Sequence, residues 1–137
     1  MKVFVTGVAG QLGHDVVNEL TKRGHQAVGS DIAPTLESCA SYVPLDITDA
    51  AAVEQTIMQV QPDAVHCAAW TAVDAAEDEE NQAKVRAINV DGTKHIAEAA
   101  KKVDAKMVYI STDYVFDGQG ETPREPDCKA HAPLDVY

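Results

Sequence analysis

Short apolar runs alternate along the chain with segments whose apolar residues recur at helical spacing. The runs are rich in β-branched residues. Within a run, apolar residues do not alternate with polar residues, which is typical of strands buried on both faces. In chain order they are KVFVT, QAVGSD, SYVPLD, PDAVHCAA and KMVYIST. The third run is the weakest strand candidate because Pro44 lacks the N–H that a sheet ladder uses.

Helices are predicted between these strands. Gly24 is placed to end the first of them, and Asp49 is placed to cap the second. The predicted buried faces are Leu12, Val16, Val17 and Leu20 in the first helix, Val53, Ile57 and Val60 in the second, and Ile88, Ile96, Ala97 and Ala100 in a helical region covering about 81–102.

The alternation of strands and helices predicts an α/β fold. Near-continuous apolar strands require cover on both faces, so we expect a doubly wound parallel sheet of Rossmann type, ending after the fifth strand in this chain. The crossovers between parallel strands are expected to be right-handed. A chain of 137 residues is long enough for one domain with its own core.

Charge and cysteine content narrow the classes of partner and compartment. A net charge of −11 repels phosphate backbones and argues against nucleic acid. No apolar run reaches the ~20 residues of a membrane span, and the N-terminal segment MKVFVTG has no secretory pattern. Three widely spaced cysteines, Cys39, Cys67 and Cys128, indicate a reducing cytoplasm. The scattered histidines show no metal-ligand spacing, so no metal site is predicted.

A glycine turn lies between the first strand and the first helix. Gly7, Gly10 and Gly13 suit a tight turn, a close approach to a pyrophosphate, and close packing of the helix on the sheet. Asp31 ends the second strand, where a carboxylate accepts hydrogen bonds from the adenosine ribose and repels a 2′-phosphate. With no arginine after Asp31, the sequence favours NADH over NADPH. The alternatives are a turn without a ligand and a loop carboxylate.

The segment STDYVFDG after the fifth strand has two interpretations. It is either part of an active site or a strand end whose Ser111 and Asp113 bond local backbone while Tyr114 and Phe116 pack. Elsewhere, His66 and Cys67 are interpreted as core residues. The acidic run EDEE is interpreted as a solvated helix start favoured by the helix dipole.

The glycine-turn segment TGVAGQLG resembles the extended short-chain dehydrogenase/reductase superfamily. Together with it, the segments AAWTAVDAAE, INVDGT, STDYVFDG and PLDVY resemble the dTDP-4-dehydrorhamnose reductase family, from end to end of this chain. Related sugar-nucleotide dehydratases carry a glutamate where this chain has Tyr114, so the resemblance favours a reductase.

The resemblance implies roles for individual residues. Thr112 and Tyr137 would be catalytic, Thr112 and Asp113 would contact the sugar, and Asn89 is expected to brace backbone beside the site. The implied cofactor contacts are Gly7, Gly10, Gln11, Leu12 and Gly13 around the pyrophosphate, Asp31 at the ribose, Asp46 and Ile47 at the adenine, and Ala68, Ala69 and Trp70 after the fourth strand.

The implied activity is NAD(P)H-dependent reduction of the 4-keto group of dTDP-4-dehydro-L-rhamnose to dTDP-L-rhamnose. The cofactor is NAD or NADP and the partner a dTDP-sugar, and a homodimer is compatible with the resemblance. The family's catalytic tyrosine belongs to a Y-x-x-x-K motif, and this chain ends at Tyr137. We therefore expect residues 1–137 to be a dinucleotide-binding Rossmann domain, inactive alone, with the substrate-binding part lying beyond this chain. The alternatives are a non-catalytic regulatory module resembling the methionine adenosyltransferase β subunit, or another sugar-nucleotide reductase or epimerase.

Overall fold

A single parallel sheet organises the molecule. The computed structural model describes residues 1–67, 69–119, 122–129 and 131. The strands are β1 Lys2–Thr6, β2 Gln26–Asp31, β3 Tyr42–Pro44, β4 Ala64–Cys67 and β5 Lys106–Tyr109. The α-helices are α1 Gln11–Lys22, α2 Ala50–Val60, α3 Val73–Ala76, α4 Glu79–Arg86 and α5 Thr93–Lys102, with a π-helical turn at Ala87–Gly92 and a 3₁₀ turn at Asp113–Val115.

The strand order confirms the predicted Rossmann-like fold. The sheet runs β3-β2-β1-β4-β5, and every neighbouring pair is parallel. The chain builds outward from β1 to β3, then returns to the other side of β1 and builds outward again to β5. The strand order therefore reverses between β1 and β4, which is where open α/β sheets bind ligands.

Apolar side chains cover both faces of the sheet. Phe4 and Val65 pack with Ile57 of α2 and Ile96 of α5 on one face, while Val5 packs with the α1 side on the other. Asp49 caps α2 as predicted, because its carboxylate accepts a hydrogen bond from the Ala52 N–H at 3.0 Å. Among the described residues, no helix is long and apolar enough to cross a membrane.

Two of the predicted buried positions are wrong. Leu12 is 53% exposed because it stands in the first turn of α1, beyond the end of the sheet. Ala97 is exposed and Ala99 is buried instead, beside Ile96 and Ala100. Residues three and four apart share a helix face, whereas the residue next to Ile96 points about 100° away.

Candidate functional site

Glycines and polar side chains gather at the carboxyl ends of the strands. They line two cavities of about 600 and 430 Å³. Thr6, Gly7, Asp31 and Ala69 border both cavities, so the two form one groove across the point where the strand order reverses.

The first cavity is built around the glycine turn. Gly7 adopts φ +72°, a left-handed conformation that favours glycine, and its carbonyl accepts a hydrogen bond from the Gly10 N–H at 3.1 Å. Gly10 caps α1 without any side-chain bond, so the first N–H groups of the helix have no side-chain acceptor at the cap. Gln11, Leu12 and the glycines line the cavity, and this end of α1 is suited to an anion.

Asp31 fastens the glycine turn to the end of β2. Its Oδ2 accepts a hydrogen bond from the Ala9 N–H at 3.0 Å, and its Oδ1 accepts one from the Ile32 N–H at 2.8 Å. The carboxylate is therefore a fixed part of the groove wall. Each carboxylate oxygen can accept more than one hydrogen bond, so these contacts leave capacity for a ribose hydroxyl.

The second cavity lies beside the ends of β2 and β3, where the sequence placed Asp46 and Ile47. Both residues line it. Asp46 Oδ1 accepts hydrogen bonds from the Thr48 N–H at 2.9 Å and from the Thr48 hydroxyl at 2.7 Å. The Ile47 carbonyl is 3.0 Å from Nδ1 of His95 on α5. The loop after β3 is therefore stabilised by a turn within the loop and by one contact from α5.

Trp70 forms one wall of the second cavity, and Asn89 braces it. The Trp70 N–H donates to Asn89 Oδ1 at 2.7 Å, and Asn89 Nδ2 donates back to the Trp70 carbonyl at 3.3 Å. The indole Nε1 donates to the Ala72 carbonyl at 3.1 Å. This is the backbone role that the sequence predicted for Asn89. Ala69 lines both cavities, whereas Ala68 lies outside the described residues.

The segment after β5 reaches the first cavity through Ile110 and Ser111. Thr112 caps the following 3₁₀ turn: its Oγ1 accepts a hydrogen bond from the Tyr114 N–H at 3.2 Å and donates to Asp113 Oδ1 at 3.4 Å. The observed cap is therefore Thr112, whereas the capping interpretation named Ser111 and Asp113, and Tyr114 is exposed instead of packed. Tyr137 lies outside the described residues, so its pairing with Thr112 stays a prediction.

His66 is a feature of the cavity that the strand pattern did not reveal. It is 8% exposed, as expected of a core residue, yet it also lines the first cavity. Neither ring nitrogen has a hydrogen-bond partner among the described residues. Burial lowers the pKa of the His66 imidazole, so the ring is neutral at pH 7. Burial also raises the pKa of the neighbouring Cys67 thiol, which disfavours a thiolate nucleophile there.

The buried imidazole predicts acid sensitivity of the fold. Unfolding restores the ordinary pKa of about 6.5, so below that pH the unfolded state binds a proton that the folded state resists. The free energy of unfolding should therefore fall as the pH drops below about 6.5, with a slope from His66 of at most about 1.4 kcal/mol per pH unit. Urea unfolding between pH 7.5 and 5.5 measures this, and His66→Leu should flatten the curve. An unchanged curve in His66→Leu, matching that of the exposed control His14→Leu, would contradict the prediction.

Metal-ligating side chains do not gather at the groove. Across the part of the chain that the structure describes, no group of three or more His, Cys, Asp or Glu side chains could hold an ion. The acidic run Asp78–Glu80 instead begins α4, with Asp78 at the cap position and Glu79 and Glu80 in the first turn.

Comparison with known proteins places the whole chain in one family. Residues 1–137 match the sequence model of the RmlD substrate binding domain. A dTDP-4-dehydrorhamnose reductase of Streptomyces griseus is 40% identical over 90% of this chain, which is 37% of that protein. The methionine adenosyltransferase 2 subunit beta of Pongo abelii is 36% identical over 99% of this chain and 39% of that protein. The chain therefore spans well under half the length of these relatives.

Solved structures share the fold over the full chain. A dTDP-4-dehydrorhamnose reductase from Clostridium acetobutylicum is 36% identical, with a TM-score of 0.84 over 100% of this chain and 45% of that one. A Bacillus anthracis dTDP-4-dehydrorhamnose reductase in complex with NADP is 33% identical, with a TM-score of 0.80 over 99% and 45%. The Bordetella bronchiseptica enzyme WbmH in complex with NAD⁺ is 29% identical, with a TM-score of 0.82 over 99% and 47%.

Proposed function

Because the chain belongs to the RmlD substrate-binding-domain family, we propose that residues 1–137 are the dinucleotide-binding part of a sugar-nucleotide reductase. The observation that carries the proposal is the groove across the reversal point of the sheet, with a glycine turn and a helix N-terminus at its centre. Relatives of this chain include structures in complex with NADP and with NAD⁺. A nicotinamide dinucleotide is the ligand that fits these observations together.

Each cavity would bind one end of the dinucleotide. The first cavity would take the pyrophosphate at Gly7, Gly10 and Gly13, where backbone N–H groups and the helix dipole favour negative charge. Ile110 and Ser111, at the far side of this cavity, would lie toward the nicotinamide. The second cavity would take the adenosine, with Asp31 at the ribose, Asp46 and Ile47 at the adenine, and Ala69 and Trp70 opposite.

The reaction proposed is reduction of the 4-keto group of dTDP-4-dehydro-L-rhamnose to dTDP-L-rhamnose. The ketone carbon C4 would receive a hydride from a reduced nicotinamide held in the groove, and the ketone oxygen would then need one proton to become a hydroxyl. Tyr137 would donate that proton, and Thr112 would orient the oxygen by a hydrogen bond, with Asp113 beside the sugar. A tyrosine has an ordinary pKa of about 10, so a neighbouring cation that favours the phenolate would help it act reversibly near pH 7.

The test is an absorbance assay with the protein as its gene encodes it. We expect NADH or NADPH to be oxidised when dTDP-4-dehydro-L-rhamnose is added, and no oxidation with a dTDP-sugar that lacks a 4-keto group. Cofactor binding without turnover of the ketone would reject the reductase and leave the binding site standing. Absence of both would reject the proposal as a whole.

A non-catalytic module is the second candidate, and one specific observation favours it. A subunit that is not named as a reductase, the methionine adenosyltransferase 2 subunit beta, matches 99% of this chain. The segment after Tyr137 in the gene discriminates between the two: a lysine four residues on would support the enzyme. Both candidates keep the cytoplasmic setting that the sequence predicts, and a homodimer is compatible with both.

A further inference from the structure

Lys84 brings a positive charge to the cavity that contains Asp31. It stands on α4, far along the chain from the glycine turn, yet it lines the second cavity together with Asp31, Asp46 and Trp70. Among the described residues, it is the one lysine or arginine that lines either cavity. The adenosine end of the groove therefore has its own cation.

The Lys84 ammonium packs against an aromatic ring. Its Nζ lies 4.8 Å from the centroid of the Trp70 ring, within the range of a cation–π contact. Trp70 itself is fixed at its N–H by Asn89 and at its indole Nε1 by the Ala72 carbonyl. The ammonium therefore packs against a ring whose position is set by two hydrogen bonds.

Lys84 has no carboxylate partner among the described residues, where the ion pairs involve other lysines and arginines. The carboxylates of Asp31 and Asp46 that line the cavity are instead engaged by neighbouring N–H and O–H groups. An ammonium that lies at the groove and has no carboxylate partner among the described residues is available for an anionic ligand.

We propose that Lys84 binds the 2′-phosphate of NADP, so that the groove accepts NADP as well as NAD. The inference rests on the proposed dinucleotide site and adds what sets its cofactor preference. Asp31 opposes the 2′-phosphate and Lys84 attracts it, and the balance between these two charges in one cavity determines the ratio of the affinities. The sequence favoured NADH because only the residues next to Asp31 in the chain could be assigned to the ribose site without the fold.

The experiment measures the dissociation constants of NADPH and NADH by nicotinamide fluorescence in the protein as its gene encodes it. Replacing Lys84 with glutamine removes the charge from an exposed side chain and should leave the fold intact. We expect the NADPH constant to rise at least roughly tenfold (about 1.4 kcal/mol), because the variant loses a charge-assisted hydrogen bond to the 2′-phosphate, and the NADH constant to stay within about twofold. Added salt should weaken NADPH more than NADH in the parent and reduce that difference in Lys84→Gln.

Lys101→Gln is the matched control, because it removes the same charge from the last turn of α5, away from the lining of either cavity. It should change neither constant. Equal changes for NADPH and NADH in Lys84→Gln, or no change, would overturn the role of Lys84 while leaving the dinucleotide site in place. A parent protein that binds neither cofactor would overturn the proposed function and this inference together. Asp31→Asn removes the opposing charge while it keeps an acceptor oxygen for the glycine turn, and it should lower the ratio of the NADPH constant to the NADH constant.

Discussion

Replacing Gly13 with alanine should destabilise the protein and abolish dinucleotide binding. A Cβ at this position would lie 2.3 Å from the Gly7 carbonyl oxygen, 2.7 Å from the Gly7 carbonyl carbon and 2.9 Å from the Val8 Cα. All three atoms belong to the backbone, so no side chain can rotate away. Helix α1 would have to move off the glycine turn, and overpacking of this kind costs about 1–3 kcal/mol or more. Urea unfolding and a cofactor titration measure the two effects.

Gly10→Ala is the matched control for this substitution. A Cβ on Gly10 would meet the Gly7 carbonyl oxygen at 3.3 Å, and the Gly10 φ of −84° is open to any residue. Its stability should therefore stay within about 1 kcal/mol of the parent, since one tight contact can relax. If Gly13→Ala unfolds at the same urea concentration as Gly10→Ala, the close packing of α1 on the turn is not what the third glycine provides.

Most of the fold follows from the sequence because its strand segments are short and apolar. The segments between them carry apolar residues at helical spacing. The runs that contain Phe4, Val28 and Val65 are buried on both faces, and only a parallel sheet with helices on each side provides that. One of the two wrong positions is an error of phase: Ala97 was expected in the core in place of Ala99, and one-dimensional spacing does not resolve the buried face of a helix when small residues are abundant.

The candidate site could be predicted only where its residues are close in sequence or follow a strand end. Asp31 is one example, because a carboxylate at the end of β2 reaches the glycine turn whatever the rest of the chain does. Lys84 and His66 could not be predicted in the same way. Lys84 reaches the groove only because α4 lies over the loop after β4, and His66 borders it only because β1 and β4 pair in one register.

Thr112 and Tyr137 carry the chemistry in the proposed reaction, so their substitution should affect turnover more than binding. Tyr137→Phe removes the proton donor, and general acid catalysis is typically worth about 10²–10⁴-fold, so kcat should fall within that range. Thr112→Val removes the hydroxyl that orients the ketone and should also lower kcat. Among the described residues, Thr112 lines neither cavity, so the dissociation constant of the cofactor should be unchanged in Thr112→Val.

Comparing kcat with stability in Thr112→Val separates catalysis from local structure, and Thr112→Ser is the conservative control. The Thr112 hydroxyl also caps the 3₁₀ turn by accepting a hydrogen bond from the Tyr114 N–H, and losing a cap costs about 1 kcal/mol of stability. Serine keeps both the cap and the hydroxyl, so we expect turnover close to the parent, whereas Thr112→Val should lose both. If Thr112→Val lowers stability but retains full kcat, the hydroxyl is a turn cap alone and Thr112 has no part in the reaction. A loss of kcat with unchanged cofactor binding, reversed by serine, instead makes Thr112 part of the reaction.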